Sequence, residues 1–364
     1  MQNNLIQEVD IFDDLIDNNG KINRKKLELK DSYNIKYKDL LTRYLFLNSI
    51  LDQGPDMEGV RQLLSEVTNT LYGKDVKFLH YPKDFFKNID IIYKSVKKIH
   101  DGIKAKRAVK WAEIQNTDSG RYNLFLDNCK QLSSYVIGRW GPPLATIQII
   151  MNENRTLLEL FEKQKSAEYL SGFIKSDNYY GMGKSIGNKA CHLLVKWLIY
   201  NYELIQKDDD KWGQNSYELP FDSNAGRVLF MSGFFHYFIP SLYTKKGRKE
   251  ILDYRKNEDK YFMYITNAFR DRKIEINLDS NIEKDIKEFL KDYMGKRSRK
   301  INVQHMINYL SFLNGCKIGS IDDALMHIGT KYCINRGNQK CNTCPIGGLC
   351  SGKDNKERRE RFYT

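Results

Sequence analysis

Four of the seven cysteines in this chain of 364 residues fall in one short stretch: Cys333-Ile-Asn-Arg-Gly-Asn-Gln-Lys-Cys341-Asn-Thr-Cys344-Pro-Ile-Gly-Gly-Leu-Cys350. The spacing is C-x7-C-x2-C-x5-C, in a run of Gly and Asn that lets the backbone wrap tightly. Thiolates so spaced converge on one centre, and soft sulfur ligands select an iron–sulfur cluster or zinc. Zinc sites usually pair two C-x2-C knuckles. Here one such knuckle is flanked by single cysteines, and Pro345 follows its second cysteine. The expectation is a [4Fe-4S] cluster held by Cys333, Cys341, Cys344 and Cys350, with zinc as the alternative. Cys129, Cys191 and Cys316 stand apart and read as scattered structural thiols. A chain this large with no secretory start does not read as a disulfide framework.

Three further stretches carry residue types that chemistry uses, and each has two readings. Asp222 follows Leu219-Pro220-Phe221 and opens an apolar periodic run, so it is a helix N-cap or a carboxylate with chemistry to do. Gly181-Met182-Gly183-Lys184-Ser185 separates two helical patterns. Glycines there make a tight turn, or an anion nest at a helix start with Lys184 beside it. Asp52-Gln53-Gly54-Pro55-Asp56 breaks a helix. It is an ordinary αα-corner, or a bend that projects Gln53 into a groove.

The elements that position these residues are helical. A strong helix is expected from about Asp39 to Leu51, and another after Asp56. The helical pattern then continues from Pro82 to Tyr135, with Gly138–Pro143 read as a loop. Further helices follow over 144–161, after Gly187, from Asp222, across the charged 245–300 segment and over 306–328. Lys207 to Glu218 reads as a polar linker. No alternation long enough for a sheet is present, so the class is all-α. Hydrophobic residues make up 41% of the chain and aromatics 12%, which fits a globular protein with a full core. Met1–Asp10 carries no basic leader, and no apolar run reaches membrane-helix length. The expectation is a soluble intracellular protein, cytoplasmic or nucleoid-associated. The formal net charge of +13 suggests a polyanionic partner, although lysine excess also serves solubility.

Taken in order, the early Gln53 corner, the glycine hairpin, the helix-opening Asp222 and the cysteine loop resemble the helix-hairpin-helix DNA glycosylases of the endonuclease III type. Leu325-Met-His-Ile-Gly-Thr-Lys-Tyr-Cys333 through Cys350 resembles that family's cluster loop, whose first gap is six residues where this one is seven. Asp222-Ser-Asn224-Ala-Gly-Arg227-Val228 resembles the segment that bears its catalytic aspartate. The resemblance implies two helical domains flanking a DNA-binding cleft. The helix-hairpin-helix domain would span 36–217, and 1–35 plus 218–364 would form the cluster domain with the catalytic Asp. It implies double-stranded DNA with a damaged or mismatched base as the substrate of a monomeric enzyme. Asp222 would be catalytic, Gln53, Gly181, Gly183, Lys184 and Ser185 would meet DNA, and the cluster would be structural. Bifunctional members carry a lysine two residues after the second hairpin glycine. Ser185 stands there, so the implied activity is monofunctional hydrolysis of the N-glycosidic bond. The alternatives are a glycosylase/AP lyase that uses Lys184, and a non-catalytic iron–sulfur DNA-binding protein. The glutamate of the adenine-mismatch branch aligns with Ser49.

Overall fold

The computed structural model describes residues 32–51, 66–99, 132–237, 276, 278–333 and 340–353. Among them there is no strand, and no helix is long and apolar enough to cross a membrane. The chain divides into two compact units, Met1–Lys207 and Asp208–Thr364.

The first unit is built round α1 (Ser32–Leu51), in which every position from 39 to 51 is buried. Leu41, Tyr44, Leu45, Phe46, Leu47 and Ile50 surround its axis, so it is apolar on all sides and must be enclosed. Several of its polar side chains find partners. Asn48 donates to the Tyr44 carbonyl, 2.9 Å, and Ser49 to that of Phe46, 2.8 Å. Asp39 and Arg43 pair at 2.6 Å. Asp39 accepts from the Leu158 amide, 3.0 Å, and Arg43 donates to the Leu79 carbonyl, 2.7 Å, which pins α1 to two neighbouring segments. Burial pushes the Asp39 carboxyl up, against the opposing pull of Arg43.

Around α1 lie α2 (66–72), α3 (Pro82–Lys87), α4 (89–99), α5 (Leu132–Asn152), α6 (Leu157–Glu162), α7 (Ala167–Ser176), α8 (Met182–Ser185) and α9 (Asn188–Lys196). Helix α9 continues as a π turn, Trp197–Asn201. The loop expected over 138–143 is instead the middle of α5, with Pro142 and Pro143 inside it. Proline removes an amide from the helix ladder, yet packing outweighs that loss. Trp140 is fully buried and stacks on Phe78 with ring centres 5.3 Å apart. Of the helical stretch expected over 82–135, residues 82–87 and 89–99 are helical with a turn at Asn88. Residues 100–131 lie outside the described ones.

The second unit holds α10 (Ser223–Ser232), α11 (Ser280–Asp292), α12 (Val303–Leu313) and α13 (Ile318–Lys331). Helix α10 packs on α13, while α12 packs on both α11 and α13. Ile286, Phe289, Leu290, Met294 and Met306 form one compact apolar cluster between α11 and α12. Two sequence expectations need correction here. Residues 293–302 leave the helix after α11, where Gly295 takes φ 62°. The stretch read as a polar linker also contributes to the core, since Trp212 and Tyr217 are buried.

Candidate metal centre and the aspartate helix

All four loop cysteines line one pocket, with Val228, Met231, Ile328, Tyr332 and Ile346 as its apolar wall. The backbone there is tightly wound. Residues Cys341–Thr343 form a single 3₁₀ turn, the Cys344 amide donates to the Cys341 carbonyl at 3.3 Å, and the Gly347 amide donates to that of Cys344 at 2.9 Å. A Cβ at Gly347 would lie 2.5 Å from the Cys341 carbonyl oxygen, so only glycine lets the loop close. On the other side Cys333 ends α13, its amide donating to Ile328 at 2.7 Å.

The donor set fits a bound metal group. Burial, reinforced by neighbouring Cys341 and Cys344, pushes the Cys350 thiol up, so its thiolate would need a positive centre beside it. By contrast Cys191 is buried in the first unit, its thiol pushed up to about 12 chiefly by desolvation, and Cys316 is exposed on the turn between α12 and α13. Cys129 lies outside the described residues.

The cysteine loop is bound to α10 at the middle and at the end of that helix. From the middle, Arg227 donates from Nη2 to Asn224 Oδ1, 2.5 Å, and to the Gly329 carbonyl, 2.7 Å. Its Nε donates to the carbonyl of Cys333, 2.5 Å. Near the helix end, the Cys350 thiol donates to the Met231 carbonyl, 3.4 Å, and the Ser351 hydroxyl to Ser232, 3.1 Å. Gly329 and Gly352 let the backbones meet. A Cβ would come within 2.9 Å of Asn224 Cβ at the first, and within 2.5 Å of the Met231 carbonyl oxygen at the second.

Asp222 caps α10 and is half-buried. Its Oδ1 accepts from the amides of Asn224 and Ala225, both 2.9 Å. The chain reaches it in an extended run gripped by polar side chains of α12. Asn308 donates to the Tyr217 and Asn215 carbonyls, 2.6 and 3.1 Å, and Gln304 to that of Leu219, 2.8 Å. Glu218, also in this run, meets Lys296 at 2.7 Å and the His305 ring at 2.6 Å. A carboxylate is thus presented at a helix start whose position is set from three directions. Sequence reading assigned no role to Arg227, Gln304 or Asn308. The Asp-x-Asn-x-x-Arg spacing carried a signal for Arg227, but the two α12 residues sat within an apolar periodicity that hides polar contacts.

The glycine hairpin lies in the first unit, between α7 and α9. Gly181 takes φ 80°, a left-handed conformation, and opens the one-turn helix α8. Asp177 organises the turn from inside. Its carboxylate accepts from the amides of Tyr179, Tyr180 and Met182 at 3.2, 3.2 and 3.0 Å. Its carbonyl accepts from the Gly183 amide at 3.2 Å. Lys175 covers the opposite polarity, donating to the Gly183 and Ile186 carbonyls, 3.1 and 2.9 Å. The expected outward nest is corrected at one point: Gly183 turns its amide inward, because a carboxylate of the chain already organises this turn. A Cβ at Gly183 would lie 2.4 Å from the Lys175 carbonyl oxygen. Lys184 is exposed, while Ser185 is buried and donates to the Met182 carbonyl, 2.9 Å. Gln53 lies outside the described residues.

Set against protein-family models, curated proteins and solved structures, the chain matches none. The functional reading therefore stands on the residues and their geometry. Ser49 is buried with its hydroxyl turned back onto its own helix.

Proposed function

We propose that this chain is a monofunctional DNA glycosylase that hydrolyses the N-glycosidic bond of a damaged or mispaired base in double-stranded DNA. One observation carries the reading: the helix capped by Asp222 is tied at its middle and its end to a loop whose four cysteines line a single pocket. That is the arrangement a structural cluster needs if its task is to hold a carboxylate in position. Cys333, Cys341, Cys344 and Cys350 would hold a [4Fe-4S] cluster, favoured over zinc by their C-x7-C-x2-C-x5-C spacing. The cluster contributes cross-linking of the loop, and no step of the reaction passes through it.

Cleaving an N-glycosidic bond builds positive charge on the sugar. The target nucleotide first leaves the stack, at a cost lowest for damaged or mispaired bases. Asp222 then stabilises the oxocarbenium character and orients a water toward C1′. Water oxygen bonds to C1′, the base departs with the electron pair of the glycosidic bond, and the water's proton passes to Asp222. Gly181 and the exposed Lys184 contact phosphate from the hairpin, and Gln53 fills the vacated space. Ser185 supplies no amine, so no imine with the abasic sugar forms there.

The test is a panel of duplexes, each carrying one modified or mismatched base, incubated with the full chain and then cleaved with alkali. Strand breaks at one class of base are expected, together with iron and sulfide in the purified protein. The strand breaks should be absent with Asp222→Asn, whose iron is retained, and borohydride should trap no covalent adduct. A panel with no base release by the iron-loaded protein would overturn the assignment.

A further inference from the structure

A second surface goes beyond this reading and does not depend on Asp222. Helices α3 and α4 bury Phe85, Ile92 and Val96 completely, with Phe85 packed on Phe78 at 6.1 Å between ring centres. A helix that buries one apolar face normally turns a polar face to solvent. These two do not. Tyr81 is 59% exposed, Phe86 43%, Ile89 41% and Tyr93 44%, and Ile91 is 37% exposed on the other flank of α4. The exposed lysines 83, 87, 94, 97 and 98 interleave with these side chains, against only Asp84 and Asp90. Ile89, Tyr93 and Lys97 follow one another at four-residue steps and share one stripe of α4, advancing about 6 Å per step.

Large exposed apolar side chains gathered this closely mark a contact surface, and their surroundings select the partner. A second copy of the chain would bring the same lysines face to face, like charge against like. Duplex DNA would satisfy the lysines but keeps its base faces inside the stack, leaving the rings unused. An unpaired strand uses both, because bases stack on aromatic rings while ammonium groups follow the phosphates. We infer that the Tyr81–Lys98 face is a docking surface for a single strand of DNA with unpaired bases.

The experiment is fluorescence anisotropy of the full chain with labelled oligo(dT), alongside a lesion-free duplex of equal length. Phe86→Ala/Tyr93→Ala should bind oligo(dT) at least about tenfold more weakly, with its duplex affinity and melting temperature unchanged. Lys94→Gln/Lys97→Gln should lower the salt slope for oligo(dT) by about 1.4, two phosphate contacts at about 0.7 each. Unchanged oligo(dT) affinity in the ring variant overturns the inference, and so does an equal loss on duplex. A dimer in sedimentation that the ring variant dissociates would assign the face to a second copy instead. Base release from the duplex panel is scored separately. A protein that releases no base but binds oligo(dT) through these rings refutes the glycosylase reading and leaves this one standing.

Discussion

Both cap hydrogen bonds at the start of α10 end on one oxygen of Asp222, and an asparagine carbonyl can accept the same two. Asn is about as good a cap as Asp, and the lost charge at the helix start is worth below about 1 kcal/mol. Asp222→Asn should therefore keep its helicity and iron content. Base release should fall by about a hundredfold or more, the usual loss for one preorganised electrostatic group. Single-turnover excision beside circular dichroism separates the two duties, and near-normal excision would remove Asp222 from the chemistry. Gly183 is constrained in another way. An added Cβ would press on the Lys175 carbonyl, backbone that cannot step aside cheaply. Gly183→Ala should cost about 1–3 kcal/mol, as overpacking does, and weaken DNA binding through the distorted hairpin. Gly187→Ala is the control, because nothing lies within 4 Å of its Cβ position. Equal melting of the two variants would show that the turn tolerates a side chain at Gly183.

Helix α10 and the cysteine loop form one mechanical piece, joined chiefly through Arg227. Its three hydrogen bonds reach Asn224, Gly329 and Cys333, and a lysine has no planar fork to repeat them. Arg227→Lys should lose about 2–3 kcal/mol and lower iron content and excision together, whereas Asp222→Asn lowers excision alone. Each Cys→Ser change at 333, 341, 344 or 350 should likewise reduce iron. Full iron occupancy in any one would take that cysteine out of the ligand set. The cysteine spacing and the N-cap at Asp222 were legible beforehand, because both are local features of sequence. The tie between them was not. It joins residues about a hundred positions apart through backbone carbonyls, and every residue type has one of those. For the same reason α5 was misread at Gly138–Pro143. Local propensity argues for a loop there, and the burial of Trp140 overrides it.

Across the whole molecule, class was easier to read than boundaries. Helical periodicity carried through most of the described chain because apolar faces repeat wherever a helix meets a core. Lys207–Glu218 misled because its acidic run conceals Trp212 and Tyr217, which are buried in the second unit. Net charge is the property that belongs to no single element. An excess of thirteen positive charges is compatible with mere solubility, so the distinction has to come from how binding responds to salt. If the basic residues hold DNA by its phosphates, each contact releases condensed counterions, and log K falls against log salt with a slope of about 0.9 per phosphate on duplex. Three contacts suffice for about a fortyfold loss between roughly 50 and 200 mM salt. The expected result is a loss at least that large on a lesion-free duplex, equal for unrelated sequences. Asp222→Asn should leave the slope unchanged, because that carboxylate neutralises no phosphate. Affinity that stays flat over this range would mean the charge serves solubility alone, and the nucleic-acid reading would fail with it.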